Sequence, residues 1–239
     1  MGIFRNRPSV GLGDNPGDGT PGRHDWYGNK FVSVFGGANN WAAAEEGSYF
    51  VATNAAVATG IAGHAAPVVA DTDTKPLLHL YNGGQRYITL DHLFLEVTAA
   101  GTAGTIHYAV VYVDNKGTSA RSSGGTAITP VGVRSDNPTS SAAEIYFGAV
   151  VAAMTSSRKV GQQIVREVIP VVQDTVTLRF GGGGGPVKGL TTAGTATNHV
   201  FLDFPPVVIA PGGNVGIAMI RPSQSAAASY QFELGYVER

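Results

Sequence analysis

A chain of 239 residues is about 1.6 times a typical domain length, so one large domain or two small ones are open. With 33 glycines, 13 prolines and a charged fraction of only 14 %, it is rich in turns and poor in solvated helix faces, while 43 % hydrophobic residues exclude disorder throughout. A net charge of −1 excludes a global field that would hold nucleic acid or an anionic membrane, and the absence of cysteine excludes disulfides, thiolate catalysis and Cys-based metal sites.

From Met1 to Lys30 the text holds seven Gly and three Pro and no apolar period of 2 or 3.6. It reads as an extended N-terminal arm. Ile3, Phe4, Val10, Leu12, Trp26 and Tyr27 supply most of its apolar area. Fixing each residue of such a segment costs about 1 to 2 kcal/mol, which those few side chains cannot offset alone. Extended, the segment spans at most about 100 Å, enough to cross a neighbouring subunit. Two readings stand: an ordinary frayed terminus, or a docking arm anchored by Ile3, Phe4, Trp26 and Tyr27, with Arg5 and Arg7 beside them.

Small residues dominate from Phe31 to Ala70, where Trp41 to Glu46 fits one helical turn and Ser48 to Ala52 a short strand. Arg86 to Thr98 puts Ile88 and Leu90 on one parity and Leu93, Leu95 and Val97 on the other. The phase therefore slips near Asp91 and His92, as a β-bulge would make it. Thr105 to Asp114 is apolar on both faces, the mark of a strand covered on both sides. Strands follow at Glu144 to Val151, Gln163 to Val172, Thr175 to Phe180, His199 to Phe204, Asn214 to Arg221 and Ser229 to Val237. Gly117 to Gly125, Ser135 to Ala142 and Gly181 to Gly189 read as loops. Roughly eight or nine strands without a long amphipathic helical segment make an all-β fold, a sandwich or a barrel. One β domain over residues 31–239 plus an arm over residues 1–30 is the economical division.

Little in this text carries chemistry. No Ser lies in a G-x-S-x-G elbow, and Glu45, Glu46, Asp91, Glu96, Glu144, Glu167 and Asp203 are scattered singly or adjacent in sequence. Gly181 to Gly185 lacks the G-K-[ST] ending of a phosphate loop. Asp71-Thr72-Asp73-Thr74-Lys75 begins like a calcium loop, but Lys75 stands where an oxygen ligand is needed; a looser Ca²⁺ site at Asp71 and Asp73 stays open. His24, His64, His79, His92, His107 and His199 show no metal-ligand spacing and read as surface or hydrogen-bonded residues. Tyr108, Tyr112, Tyr230 and Tyr236 lie at strand parity, as core or interface residues. In the arm, Asp14, Asp18 and Asp25 nearly cancel Arg5, Arg7 and Arg23, so nucleic acid is not the expected partner. There is no run of 18 apolar residues and no basic-then-apolar leader, so neither a membrane span nor a secretion signal is expected.

The most recognisable text runs from Phe204 through Pro205, Pro206, Val207, Val208, Ile209, Ala210, Pro211, Gly212 and Gly213 to Asn214, Val215, Gly216 and Ile217, and then the closing Tyr230 to Tyr236. It resembles the last strands of jelly-roll virion proteins of tailed bacteriophages and, distantly, tumour-necrosis-factor-like trimeric jelly rolls. The resemblance covers Tyr81 to Arg239 in overall pattern. It implies a jelly-roll-like antiparallel β-sandwich and a non-enzymatic virion subunit, such as a capsid decoration or cement protein, a minor capsid subunit, or a fibre component. No catalytic residue and no cofactor carries over. The expected partners are further copies of the chain, a trimer being favoured by that analogy, and other virion proteins such as the major capsid protein. The expected place is the virion, after synthesis in the host cytoplasm. A receptor-binding module contacting a host glycan or surface protein is the second reading, and a polysaccharide hydrolase a remote third.

Overall fold

The computed structural model describes residues 40, 43–56, 59–64, 68–101, 107–114, 121–136, 140–151, 157–166, 172–181, 187–188, 199–222 and 226–239. The chain divides between Ala42 and Ala43, and Asn40 apart, every described residue belongs to the second unit, Ala43–Arg239. The proposed arm over residues 1–30 lies outside the described residues.

Asn40 and residues 43–46 are helical, and the rest of the described residues are strand, turn and irregular connections. The strands are β1 (Tyr49–Thr53), β2 (Ile61–Ala62), β3 (Leu78–Asn82), β4 (Ile88–Ala99), β5 (His107–Asp114), β6 (Arg121–Ile128), β7 (Val131–Gly132), β8 (Ala143–Val151), β9 (Arg158–Arg166), β10 (Thr175–Phe180), β11 (Val187–Lys188), β12 (His199–Phe204), β13 (Val208–Ile209), β14 (Asn214–Ile220) and β15 (Ser229–Glu238). They form a nine-stranded sheet with the order β11-β12-β10-β4-β15-β1-β7, to which β13 and β2 add at β4 and β15, and a six-stranded sheet with the order β6-β8-β3-β14-β5-β9. The all-β sandwich is thus the fold. Its core takes alternate side chains from both sheets, among them Leu93, Leu95, Phe232 and Leu234 of the larger and Leu78, Leu80, Phe147, Val215 and Ile217 of the smaller. Phe147 stacks on Phe232 across the layers with ring centroids 4.8 Å apart.

The phase slip in β4 is a bulge, as its sequence requires. Leu90 faces Tyr236 and His92 faces Gly235, so Asp91 is the extra residue on that strand. The extra residue restores the inward parity of Leu93, Leu95 and Val97 after Leu90.

The two-sided burial of β5 also holds. Ala109 and Val111 enter the main core, while Val110 and Tyr112 join Val68, Val151, Ala218 and Ile220 in a second cluster on the outer face. What helps cover that face is residues 68–77. This strap receives the Arg221 amide at Val68 O (2.8 Å), the Val151 amide at Thr74 O (3.0 Å) and the Gly148 amide at Leu77 O (2.7 Å). Its Asp71 accepts hydrogen bonds from the Tyr112 hydroxyl and the Lys159 ammonium.

Four differences from the sequence reading have physical reasons. There are fifteen strands among the described residues rather than eight or nine, because two-residue strands such as β2 and β7 are too short to show a period. Gly117 to Gly125 is not one loop: Arg121 onward is β6, whose Ser and Gly content hides an edge strand pairing with β8. Gly124 and Gly125 have φ of 63° and 76°, and a Cβ on Gly125 would stand 2.9 Å from the Ala149 amide nitrogen, so this strand needs its glycines. Leu78–Asn82 escapes a period-2 search because Leu78, His79 and Leu80 are all buried. Finally, β10 and β12 pair in parallel, Thr175 opposite His199 through Phe180 opposite Phe204, so the larger sheet is mixed rather than purely antiparallel; strand alternation in the sequence does not record direction.

Phe232 is 1 % exposed and stacked in the centre of both layers. Phe232→Asp buries an unpaired carboxylate there, and loss of soluble folded protein is the expected outcome. Expression yield and far-UV circular dichroism check it; a wild-type-like melt would show that Phe232 faces solvent.

Candidate functional site

The bulge at Asp91 turns two adjacent polar side chains onto the outer face of the larger sheet. Asp91 Oδ2 accepts from the Tyr49 hydroxyl of β1 at 2.7 Å and from His92 Nδ1 at 3.0 Å. His92 Nε2 donates to Glu233 Oε1 of β15 at 3.2 Å. One network therefore ties three adjacent strands. Gly235 makes the approach possible: a Cβ there would collide with both the Tyr49 hydroxyl and the His92 ring.

Electrostatics follow from these contacts. Hydrogen bonding to Asp91, partly opposed by burial and aided by Glu233, raises the His92 pKa above its ordinary value. Burial first, and then the Asp91 carboxylate, push the Tyr49 hydroxyl well above the usual phenol range, so it remains a donor. Alongside, in register with His92, Arg179 of β10 donates from Nε to Asp203 Oδ1 of β12 at 2.7 Å and lies with its guanidinium 5.5 Å from the centre of the Phe201 ring.

Around this polar centre the same face carries apolar groups. Phe201, Val131 and Val208 are 41 %, 60 % and 57 % exposed. Phe201 is in register with Thr177, and Thr177 with Phe94; Val131 is in register with Val51 and Val208 with Thr89. Their strand neighbours Leu202 and Ile209 point into the core, which places Phe201 and Val208 outside.

Chemically, the network holds a proton between two carboxylates. Both ring nitrogens of His92 are directed at carboxylate oxygens and neither at a hydroxyl, so the nucleophile-to-base contact of a triad is not formed here.

The arm residues Ile3, Phe4, Arg5, Arg7, Trp26 and Tyr27, with His24, lie outside the described residues. Of the other histidines, His64 Nε2 contacts Pro76 O at 3.0 Å, His199 Nδ1 contacts Thr175 Oγ1 at 2.7 Å, and His79 and His107 are buried. Tyr112, Tyr230 and Tyr236 are core residues as expected, and Glu45 and Glu46 are exposed. Asp71 is committed to Tyr112 and Lys159, which hold its carboxyl below the usual range, Lys159 having the larger effect. Among the described residues, no group of three or more His, Asp or Glu side chains converges as metal ligands. A cavity of about 20 Å³ between the sheets, lined by Val97, Val165, Val200, Met219, Arg221 and Tyr230, has room for about one water-sized sphere. Burial there lowers the Arg221 pKa to about 10, leaving it charged at neutral pH.

Residue by residue, Asp91 and His92 stand out in the sequence only through the phase slip, and Glu233 and Tyr49 not at all, since they meet Asp91 and His92 only by strand pairing. No helix among the described residues is long and apolar enough to cross a membrane. Comparison with known proteins finds no matching family model, no matching curated protein and no matching solved structure.

Gly235→Ala is expected to displace Tyr49 and His92 and to destabilise the protein by about 1 to 3 kcal/mol, as overpacking does. Urea unfolding measures it. Wild-type stability in that variant would show that the Tyr49 and His92 side chains do not cross Gly235.

Proposed function

We propose that this chain is a non-enzymatic structural subunit of a virus particle, a capsid decoration, cement or minor capsid protein whose β-sandwich associates with further copies of itself. The observation that carries the reading is the order of eight strands, four neighbours from each sheet. In one sheet β1, β15, β4 and β10 are successive neighbours, and in the other β3, β14, β5 and β9. The chain crosses between sheets at every step along these strands except from β5 to β9. That order supports reading the sandwich as the double Greek-key path of a jelly roll, a fold used by viral capsid and lectin domains. It supports the resemblance of the C-terminal strands to phage virion proteins, while fold by itself does not decide function.

Two further features agree with a protein whose product is contact. The outer face of the larger sheet presents Phe201, Val131 and Val208 around a hydrogen-bonded polar centre, the composition of an interface core with polar anchors. A formal charge of −1 also keeps repulsion small between many copies held at high local density. In this reading the arm, through Ile3, Phe4, Trp26 and Tyr27 with Arg5 and Arg7, docks on a neighbouring copy or on the major capsid protein.

Sedimentation or light scattering of the purified chain is expected to show a closed oligomer, a trimer by jelly-roll analogy. The double variant Phe201→Asp/Val131→Asp, both sites being exposed, should keep its fold and become monomeric. A monomeric wild type at micromolar concentration would remove self-association. Separately, deletion of residues 1–29 should reduce incorporation into particles at least tenfold; unchanged incorporation would remove the arm from the mechanism.

A further inference from the structure

The β4 bulge sets one titratable ring between two carboxylates on different strands. We propose that His92 is a proton-operated clasp: the doubly protonated ring ties Glu233 of β15 to Asp91 of β4, and loss of one proton opens the Glu233 half while the Asp91 half holds.

The argument starts from donors and acceptors. An ionised carboxylate only accepts. Asp91 Oδ2 at 3.0 Å from Nδ1 and Glu233 Oε1 at 3.2 Å from Nε2 therefore each need an N–H from the ring. Only the imidazolium has two. The neutral ring must abandon one contact, and the structure selects which. Asp91 sits on the bulge, is 29 % exposed and is fixed by the Tyr49 hydroxyl; Glu233 is 50 % exposed and free to turn into solvent. The remaining proton therefore stays on Nδ1, and the Nε2 lone pair then faces a carboxylate oxygen. That contact changes from attractive to repulsive.

Among the described residues, the charged and titratable groups around the ring are few and come from every neighbouring strand. Tyr49 faces it from β1 and remains a neutral donor. Glu233 faces it from β15. Arg179 of β10 is opposite His92 in register, with its guanidinium engaged by Asp203 of β12, whose side chain is 2 % exposed. Hydrogen bonding to Asp91 is the largest influence on the ring and favours its positive form, burial opposes it, and Glu233 favours it; the net effect lifts the His92 pKa.

The sign of the pH response follows. A pKa higher in the folded chain than the 6.5 of an unperturbed imidazole means that the extra stability is complete below 6.5 and is lost as pH rises through the folded value. Opening also leaves the outer face one unit more negative, because the ring gives up its positive charge.

Glu233→Gln separates this clasp from an ordinary surface contact. A glutamine amide accepts from the protonated ring through its oxygen and donates to the neutral ring through its nitrogen, so its contact survives at either pH. In the full chain, NMR titration of the His92 ring is expected to give a midpoint above 6.5 that falls in Glu233→Gln, with the Nδ1–H tautomer above it. The wild type should melt about 2 to 4 °C higher than Glu233→Gln at about pH 5.5 and lose that advantage by about pH 8.5. A wild-type midpoint at or below 6.5, an Nε2–H tautomer at high pH, or a melting difference equal at both pH values would each overturn the clasp. The wild-type titration decides even where the variant folds poorly.

Discussion

The register between β4 and β15 is the constraint on which the rest of the molecule depends. These two strands lie at the centre of the larger sheet and pair along nearly their whole length, from Ser229 opposite Ala99 to Glu238 opposite Ile88. Because side chains alternate, a one-residue slip would send either Leu93, Leu95 and Val97 of β4 or Phe232 and Leu234 of β15 to solvent. The bulge at Asp91 lets both halves of β4 point inward, and Gly235 opposite it leaves room for Tyr49 and His92 to close over the sheet. Packing and site therefore share one cause. The same extra residue that keeps the core in phase delivers a carboxylate and an imidazole to the outer surface.

The two sheets use their outer faces differently. In the smaller sheet, the 68–77 strap lies over β14, β5 and β8, fastened by main-chain hydrogen bonds and by Asp71, and gives Val110, Ala218 and Ile220 a second layer to pack on. The larger sheet offers Phe201, Val131 and Val208 alongside a cross-strand network of charges. A network that spans β1, β4 and β15 stiffens the surface before any partner arrives, which lowers the ordering cost of binding.

Much of the fold was legible without coordinates. β10 and β12 have the bounds their alternation indicates, β14 and β15 are each right to within one residue, and the phase slip located the bulge. Those strands have one buried and one exposed face, or a continuous apolar run, and either pattern is a direct imprint of burial. β6 was hidden because Arg121–Ile128 has little side chain to bury and is held by backbone pairing with β8. β9 begins at Arg158 rather than Gln163 because an edge strand tolerates Arg and Lys that a period search rejects.

Period-2 alternation and the break at Asp91 settle which residues go inside, because both express a local geometry in which neighbours along the chain face opposite ways. Which distant residues meet on the outside is settled by strand pairing instead. Tyr49, Asp91 and Glu233 are brought together by pairing between β1, β15 and β4, and Arg179 reaches Asp203 through the parallel partnership of β10 and β12. No local period records such pairing, because it depends on where the chain returns after each crossing between the sheets.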